Sequence, residues 1–178
     1  ALGVATPLAA YQFIYQDGMY DGKLFPSKIG SQVCAAGDAV RAGARISFHS
    51  DSPVAPALPL LDVQCMVTRR TLSGDIHGPN QAVSVDDALK AVTINAAYHL
   101  RRDHDLGSIE VGKFADFVSL SADPYTADVA ALTDQVKVLG TWMQGRKIDL
   151  DSFISEIQSI DPSEHAELPD HAARNKCC

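Results

Sequence analysis

Ala44-Arg45-Ile46-Ser47-Phe48-His49-Ser50-Asp51-Ser52-Pro53 is the stretch on which the fold turns. Its first six residues alternate apolar and polar, the period of a β-strand with two unlike faces. Pro53, Pro56 and Pro59 then interrupt the chain. Upstream, Ser31 to Ala42 has a helical pattern stopped by Gly43. Downstream, Leu60 to Leu72 is again helical, with Leu61, Cys65, Thr68 and Leu72 on one face. A strand between two helices is the signature of alternating α/β architecture. Side chains alternate along a strand, so His49 and Asp51 are expected to leave it on the same face. At the C-terminal end of a parallel barrel strand, that face opens into the mouth where ligands bind.

Working outward, Leu2 to Ala9 reads as a short buried strand running into a loop, Tyr11 to Ile29. Tyr11, Phe13, Tyr15, Tyr20 and Phe25 lie in that loop among Gly18, Gly22 and Pro26. Such length favours a functional loop over a linker, although aromatics that merely pack the loop onto its own domain fit equally well. A polar loop, Ser73 to Val83, precedes a helix expected over Ser84 to Leu100. Ser84 can cap it with Asp87 at the capping-box position, and Val85, Leu89, Val92 and Ala96 would line one side. Phe114 to Leu120 and Val136 to Met143 read as strands, and Gln144-Gly145 as a tight turn into Arg146 to Leu150. From about Ser155 the chain is polar and acidic, carries Pro162 and Pro169, and is expected to fray. A closed (β/α)₈ barrel takes eight strands and roughly 250 residues. With two barrel-type strands, the 178 residues here cannot close one.

Composition narrows the function. Net charge is −7, and the 15 lysines and arginines form no cluster, which argues against a nucleic-acid surface. The apolar runs fall far short of a membrane span, and no charged-apolar-small leader precedes the first strand. Cys34, Cys65, Cys177 and Cys178 make no disulfide framework, so a reducing, cytoplasmic setting is expected. Cys34 and Cys65 fall in helical patterns and read as small core residues. Cys177-Cys178, near His165 and His171, could hold a soft metal, but a frayed tail is the preferred reading. His77 is expected to be exposed in its polar loop, while His99 and His104 flank a helix end, where histidine favours the dipole.

Asp51 is the residue expected to carry chemistry. A carboxylate at a strand end can hold a divalent metal and exchange a proton with metal-bound water. Alone, His-x-Asp more often marks an aspartate capping the next turn beside a hydrogen-bonded histidine. Its context is more specific. After His49-Ser50-Asp51-Ser52-Pro53-Val54 come Leu58-Pro59-Leu60 and Val67-Thr68-Arg69-Arg70. Ser84-Val85-Asp86-Asp87-Ala88-Leu89, Thr93-Ile94-Asn95-Ala96-Ala97, and Gly107-Ser108-Ile109-Glu110-Val111-Gly112-Lys113-Phe114-Ala115-Asp116 follow.

This series resembles the C-terminal portion of metal-dependent amidohydrolases, in particular the amidohydrolase 3 branch that includes N-substituted formamide deformylases. The resemblance covers roughly residues 1–150. It implies an α/β fold in which residues 1–105 are the last strands and helices of a (β/α)₈ barrel. Residues 106–150 would join a small composite β-sandwich, and 151–178 would be an acidic, flexible tail. It further implies one or two metals, usually zinc. Asp51 then matches the aspartate that contacts the metal and shuttles the proton, with His49 a less certain metal contact or a support for Asp51. Glu110, Lys113 and Asp116 look structural, as parts of a tight turn.

The family's remaining ligands lie upstream of what Ala1 corresponds to, and a zinc site needs three or four protein ligands. The resemblance therefore implies a partner: the missing barrel half, on the same or another chain, with a small amide-type substrate. The other reading is a non-catalytic fragment or degenerate paralogue serving as a folding or interaction element. A half-barrel exposes strand edges and apolar faces, so either reading requires the other half or a homodimer.

Overall fold

The computed structural model describes residues 5–11, 24–52, 54–149, 151–152 and 155. The chain divides into two compact units, Ala1–Arg146 and Lys147–Cys178. Most of the expected tail lies outside the described residues, as do Phe13, Tyr15 and Tyr20 of the aromatic loop and the Cys177-Cys178 pair.

Two parallel strands, β1 (Ala5–Leu8) and β2 (Arg45–Phe48), pair in register from Ala5↔Arg45 to Leu8↔Phe48. The alternation in β2 sends Ile46 and Phe48 into the main core. There they meet Val63 and Met66 of α3 (Pro59–Thr68), Ala88 and Ala91 of α4 (Val85–Ala91), and Leu132 and Val136 further on. The opposite face of β2 is covered by α5 (Ile94–His99): Arg45 stacks its guanidinium 4.0 Å from the Tyr98 ring centroid, and Ser47 bonds His99.

Of the helix expected at Ser31–Ala42 only Ala36–Arg41 is helical (α2); residues 31–34 are turn, and a separate short helix, α1 (Ser27–Gly30), precedes them. Cys34 separates them with a φ of 53°, a left-handed conformation that no helix continues through. Cys34 therefore sits in a turn, not in a helix. Arg69, with φ 55°, ends α3 at Thr68, so Leu72 is exposed instead of extending the apolar face. The Arg69 side chain is fully buried and donates to the carbonyls of Val33 (2.8 Å), Cys34 (3.0 Å) and His77 (2.9 Å). One guanidinium thus satisfies three backbone acceptors in two loops.

The expected long helix Ser84–Leu100 is also broken, into α4 and α5, at Thr93 (φ −126°, ψ −102°). Its start is as expected: Ser84 Oγ accepts the Asp87 N–H at 3.0 Å and donates to the Asp87 carboxylate at 2.6 Å. The buried positions are Ala88, Ala91 and Ala97, while Leu89 and Val92 of the expected stripe pack half-buried against the core.

Beyond a hydrogen-bonded turn at 102–116, β3 (Phe117–Leu120) pairs antiparallel with β4 (Val138–Met143), and Phe117 stacks on Trp142 at 4.9 Å. A short α6 (Leu132–Gln135) precedes β4. The Gln144-Gly145 turn has φ 51° and 76°, the two left-handed residues of a type I′ hairpin, and leads into β5 (Arg146–Lys147). Asp116 accepts the Gln144 N–H at 2.6 Å, and Lys113 donates to the Asp103 carbonyl (2.7 Å) and Ser108 Oγ (2.6 Å). No helix among the described residues is long and apolar enough to cross a membrane.

Candidate active site

Strand β2 ends at Phe48, three residues before Asp51. The ladder runs one rung further, with His49 N–H donating to the Leu8 carbonyl at 3.1 Å. Asp51 then adopts φ 55°, and its carbonyl accepts the Val54 N–H at 2.9 Å, so it opens a turn. Strand alternation therefore does not reach Asp51 and does not orient its side chain. Position brings the two residues together instead. His49 and Asp51, both exposed, line two neighbouring depressions at the C-terminal ends of β1 and β2.

One depression, about 390 Å³, is bounded by Leu8 and Ala9 at the end of β1 and by Val33 to Ala35. The other, about 400 Å³, lies between Phe48, Leu58, Val92 and Ala96, with Asp62 of α3 in its wall. In open α/β sheets, ligands bind beyond the carboxyl ends of the strands.

Cys34 borders the first depression, its Sγ 3.7 Å from the Ala9 carbonyl. Burial pushes its thiol up to about 11, against the opposing charge of Arg69, so it has little thiolate to act as nucleophile. Cys65, buried on α3, has its thiol pushed up by burial and then by Asp62.

Asp62 was not singled out by sequence. It is 5% exposed, and its Oδ1 has no hydrogen-bond partner among the described residues. Burial raises its carboxyl to about 6, offset in part by a hydrogen bond from the Tyr11 backbone. The signal available was one acid inside the apolar run Pro59-Leu60-Leu61-Asp62-Val63.

The other histidines stand apart. His99 Nδ1 lies 2.5 Å from Ser47 Oγ, and its buried Nε2 has no partner among the described residues. His77 is half-buried, not exposed, since its carbonyl is drawn onto Arg69. His104 is exposed, 3.8 Å from Asp105. Among the described residues no group of three His, Cys, Asp or Glu could hold a metal ion. His49 and Asp51 offer donors suited to zinc but supply only part of a ligand set.

Fold and depressions describe an α/β protein with two open depressions at the carboxyl ends of its parallel strands. The chain belongs to the amidohydrolase family, whose model matches residues 1–148. It is 36% identical over 104 residues to the N-substituted formamide deformylase of Arthrobacter pascens, covering 58% of this chain and 19% of that protein. It thus spans about a fifth of that curated relative's length. Among solved structures it is similar to an uncharacterized metal-dependent hydrolase from Pyrococcus horikoshii OT3, with TM-score 0.59 and 24% identity over 72% of this chain and 26% of that one. An adenosine deaminase from Xanthomonas campestris, solved with bound zinc, matches with TM-score 0.53 and 19% identity over 74% and 34%.

Proposed function

We propose that this chain is part of a metal-dependent hydrolase that cleaves C–N bonds of amide type. The observation that carries the reading is the position of Asp51 and His49: both line the depressions beyond the carboxyl ends of two parallel strands, in an amidohydrolase-family chain. In this reading β1 and β2 are the last strands of a (β/α)₈ barrel, with residues 1–105 its closing part. Residues 106–150 contribute to a β-sandwich, and 151–178 form a tail. Parallel pairing supports the first assignment, and exposed apolar side chains on the small sheet support the second. Two unpaired thiols, Cys34 and Cys65, suit a cytoplasmic setting.

Asp51, with His49 beside it, would hold a divalent cation, zinc by donor type, together with residues outside this chain. Such a cation lowers the pKa of a coordinated water toward neutrality. Asp51 takes the proton as the water oxygen bonds to the carbonyl carbon. It then gives that proton to the nitrogen as the C–N bond breaks, so the nitrogen leaves as a neutral amine and Asp51 returns to its starting state.

Asp51→Asn in the complete polypeptide tests the role. The amide cannot accept the proton, so kcat is expected to fall by about 10³ or more, with the circular dichroism spectrum unchanged and zinc content reduced. Near-wild-type turnover with full zinc content would overturn it. The other reading, a non-catalytic fragment or degenerate paralogue, predicts a free-standing 19.0 kDa protein with no stoichiometric metal.

A further inference from the structure

The second depression carries a feature that the hydrolytic reading leaves unused. Its walls are apolar at Phe48, Leu58, Val92 and Ala96, and no lysine or arginine lines it. Two carboxylates do, Asp51 and Asp62. Asp62 is nine-tenths buried on α3, and one of its oxygens has no partner among the described residues. A buried carboxylate with unused accepting capacity is costly, because nothing replaces the water it gave up. Proteins keep such groups where a ligand, a proton or a partner group completes them.

We propose that Asp62 makes this depression a subsite for a nitrogen cation carried on an apolar body: an alkyl- or arylammonium, or the equivalent N–H-rich group of a substrate. The chemistry is complementary on both counts. Aliphatic walls accept the carbon skeleton, and the Asp62 carboxylate, with no lysine or arginine in the wall, attracts the charge. At pH 7.5 Asp62 is mostly ionised even with its carboxyl raised to about 6. The inference deepens the proposed function: the amine that leaves neutral when the C–N bond breaks takes up a proton from solvent at pH 7.5 and is held here as its ammonium form. It rests on the depression being part of the substrate site.

The test is a pair of probes of equal shape, butylammonium and 1-butanol, titrated calorimetrically at pH 7.5 into the metal-loaded complete polypeptide. Tetramethylammonium, which has no lone pair to offer a metal, controls for ligation. The ammonium probes are expected to bind about tenfold tighter than the alcohol, and Asp62→Asn to remove most of that preference. Asp62→Glu is expected to retain part of it. Equal affinity for ammonium and alcohol in the wild type, which needs no variant to fold, would overturn the proposal. So would a preference unchanged in Asp62→Asn. Binding is read without turnover, so an inactive enzyme that still prefers ammonium would reject the hydrolytic reading and leave the subsite standing.

Discussion

At the scale of single residues, two aspartates in one depression differ in what burial does to them. Asp51 is exposed in a turn, whereas Asp62 sits inside α3 with its carboxyl raised by desolvation to about 6 from an ordinary 3.8. The sign of the linkage follows. A folded-state pKa above the unfolded one gives stability that is complete below pH 4 and lost as pH rises through 6. Asp62→Asn should erase that dependence, raising the stability of the complete polypeptide relative to wild type by on the order of 1–2 kcal/mol at pH 8, by a fraction of that at pH 4.5, and not at pH 3. Thermal unfolding of both proteins across that range measures it; parallel Tm curves would refute the raised pKa.

At the scale of elements, the Gly107 to Asp116 run shows what a motif's glycines are for. Gly107 has φ 87°, and a Cβ there would lie 2.7 Å from the Ala97 Cβ and 2.8 Å from the Ile94 Cα of helix α5. Gly112 has φ 95° but open space around it. Gly107→Ala should therefore cost about 3 kcal/mol or more, and Gly112→Ala only about 1 kcal/mol. Equal losses in chemical denaturation would mean that the close approach of this turn to α5 is absent in solution. The elements also mark how far sequence carried. Strand β2, the Ser84 cap and the Gln144-Gly145 hairpin were legible because local chemistry alone specifies them: strict alternation, a hydroxyl three residues from an acid, and a turn with glycine second. The breaks at Cys34 and Thr93 were not. Both fall in stretches whose apolar spacing reads as helix; at Thr93 the β-branched run Val92-Thr93-Ile94 weakens it locally, and at Cys34 the carbonyl turns toward Arg69. Asp51 was legible as a chemical group, but its left-handed backbone was not, so its geometry had to come from the turn.

At the scale of the whole molecule, the exposed apolar surface is the feature to explain. Phe117, Val118, Val138, Leu139 and Met143 of the small sheet are all exposed, as are Leu24, Phe25 and Ile29 around α1. A strand pair with uncovered faces does not stay separate in water, because burying that surface is favourable and the free edges template pairing. The isolated 19.0 kDa chain is therefore expected to associate at micromolar concentration and to bind an apolar dye, while the complete polypeptide does neither. Zinc should follow the same division: at least one ion per complete polypeptide, and none held stoichiometrically by the 178-residue chain, whose described residues bring no three donors together. Sedimentation, dye titration and metal analysis on the two forms decide it together. A monomeric, dye-free isolated chain would mean that these faces are not interfaces, and the barrel-half and sandwich assignments would fall with them. A discrete dimer that excludes dye would make a second copy a sufficient cover, and zinc in that dimer would put the missing ligands across its interface. Association that disappears only when the remainder of the polypeptide is supplied, with zinc then bound, would identify that remainder as the other wall of the site that Asp51 and His49 begin.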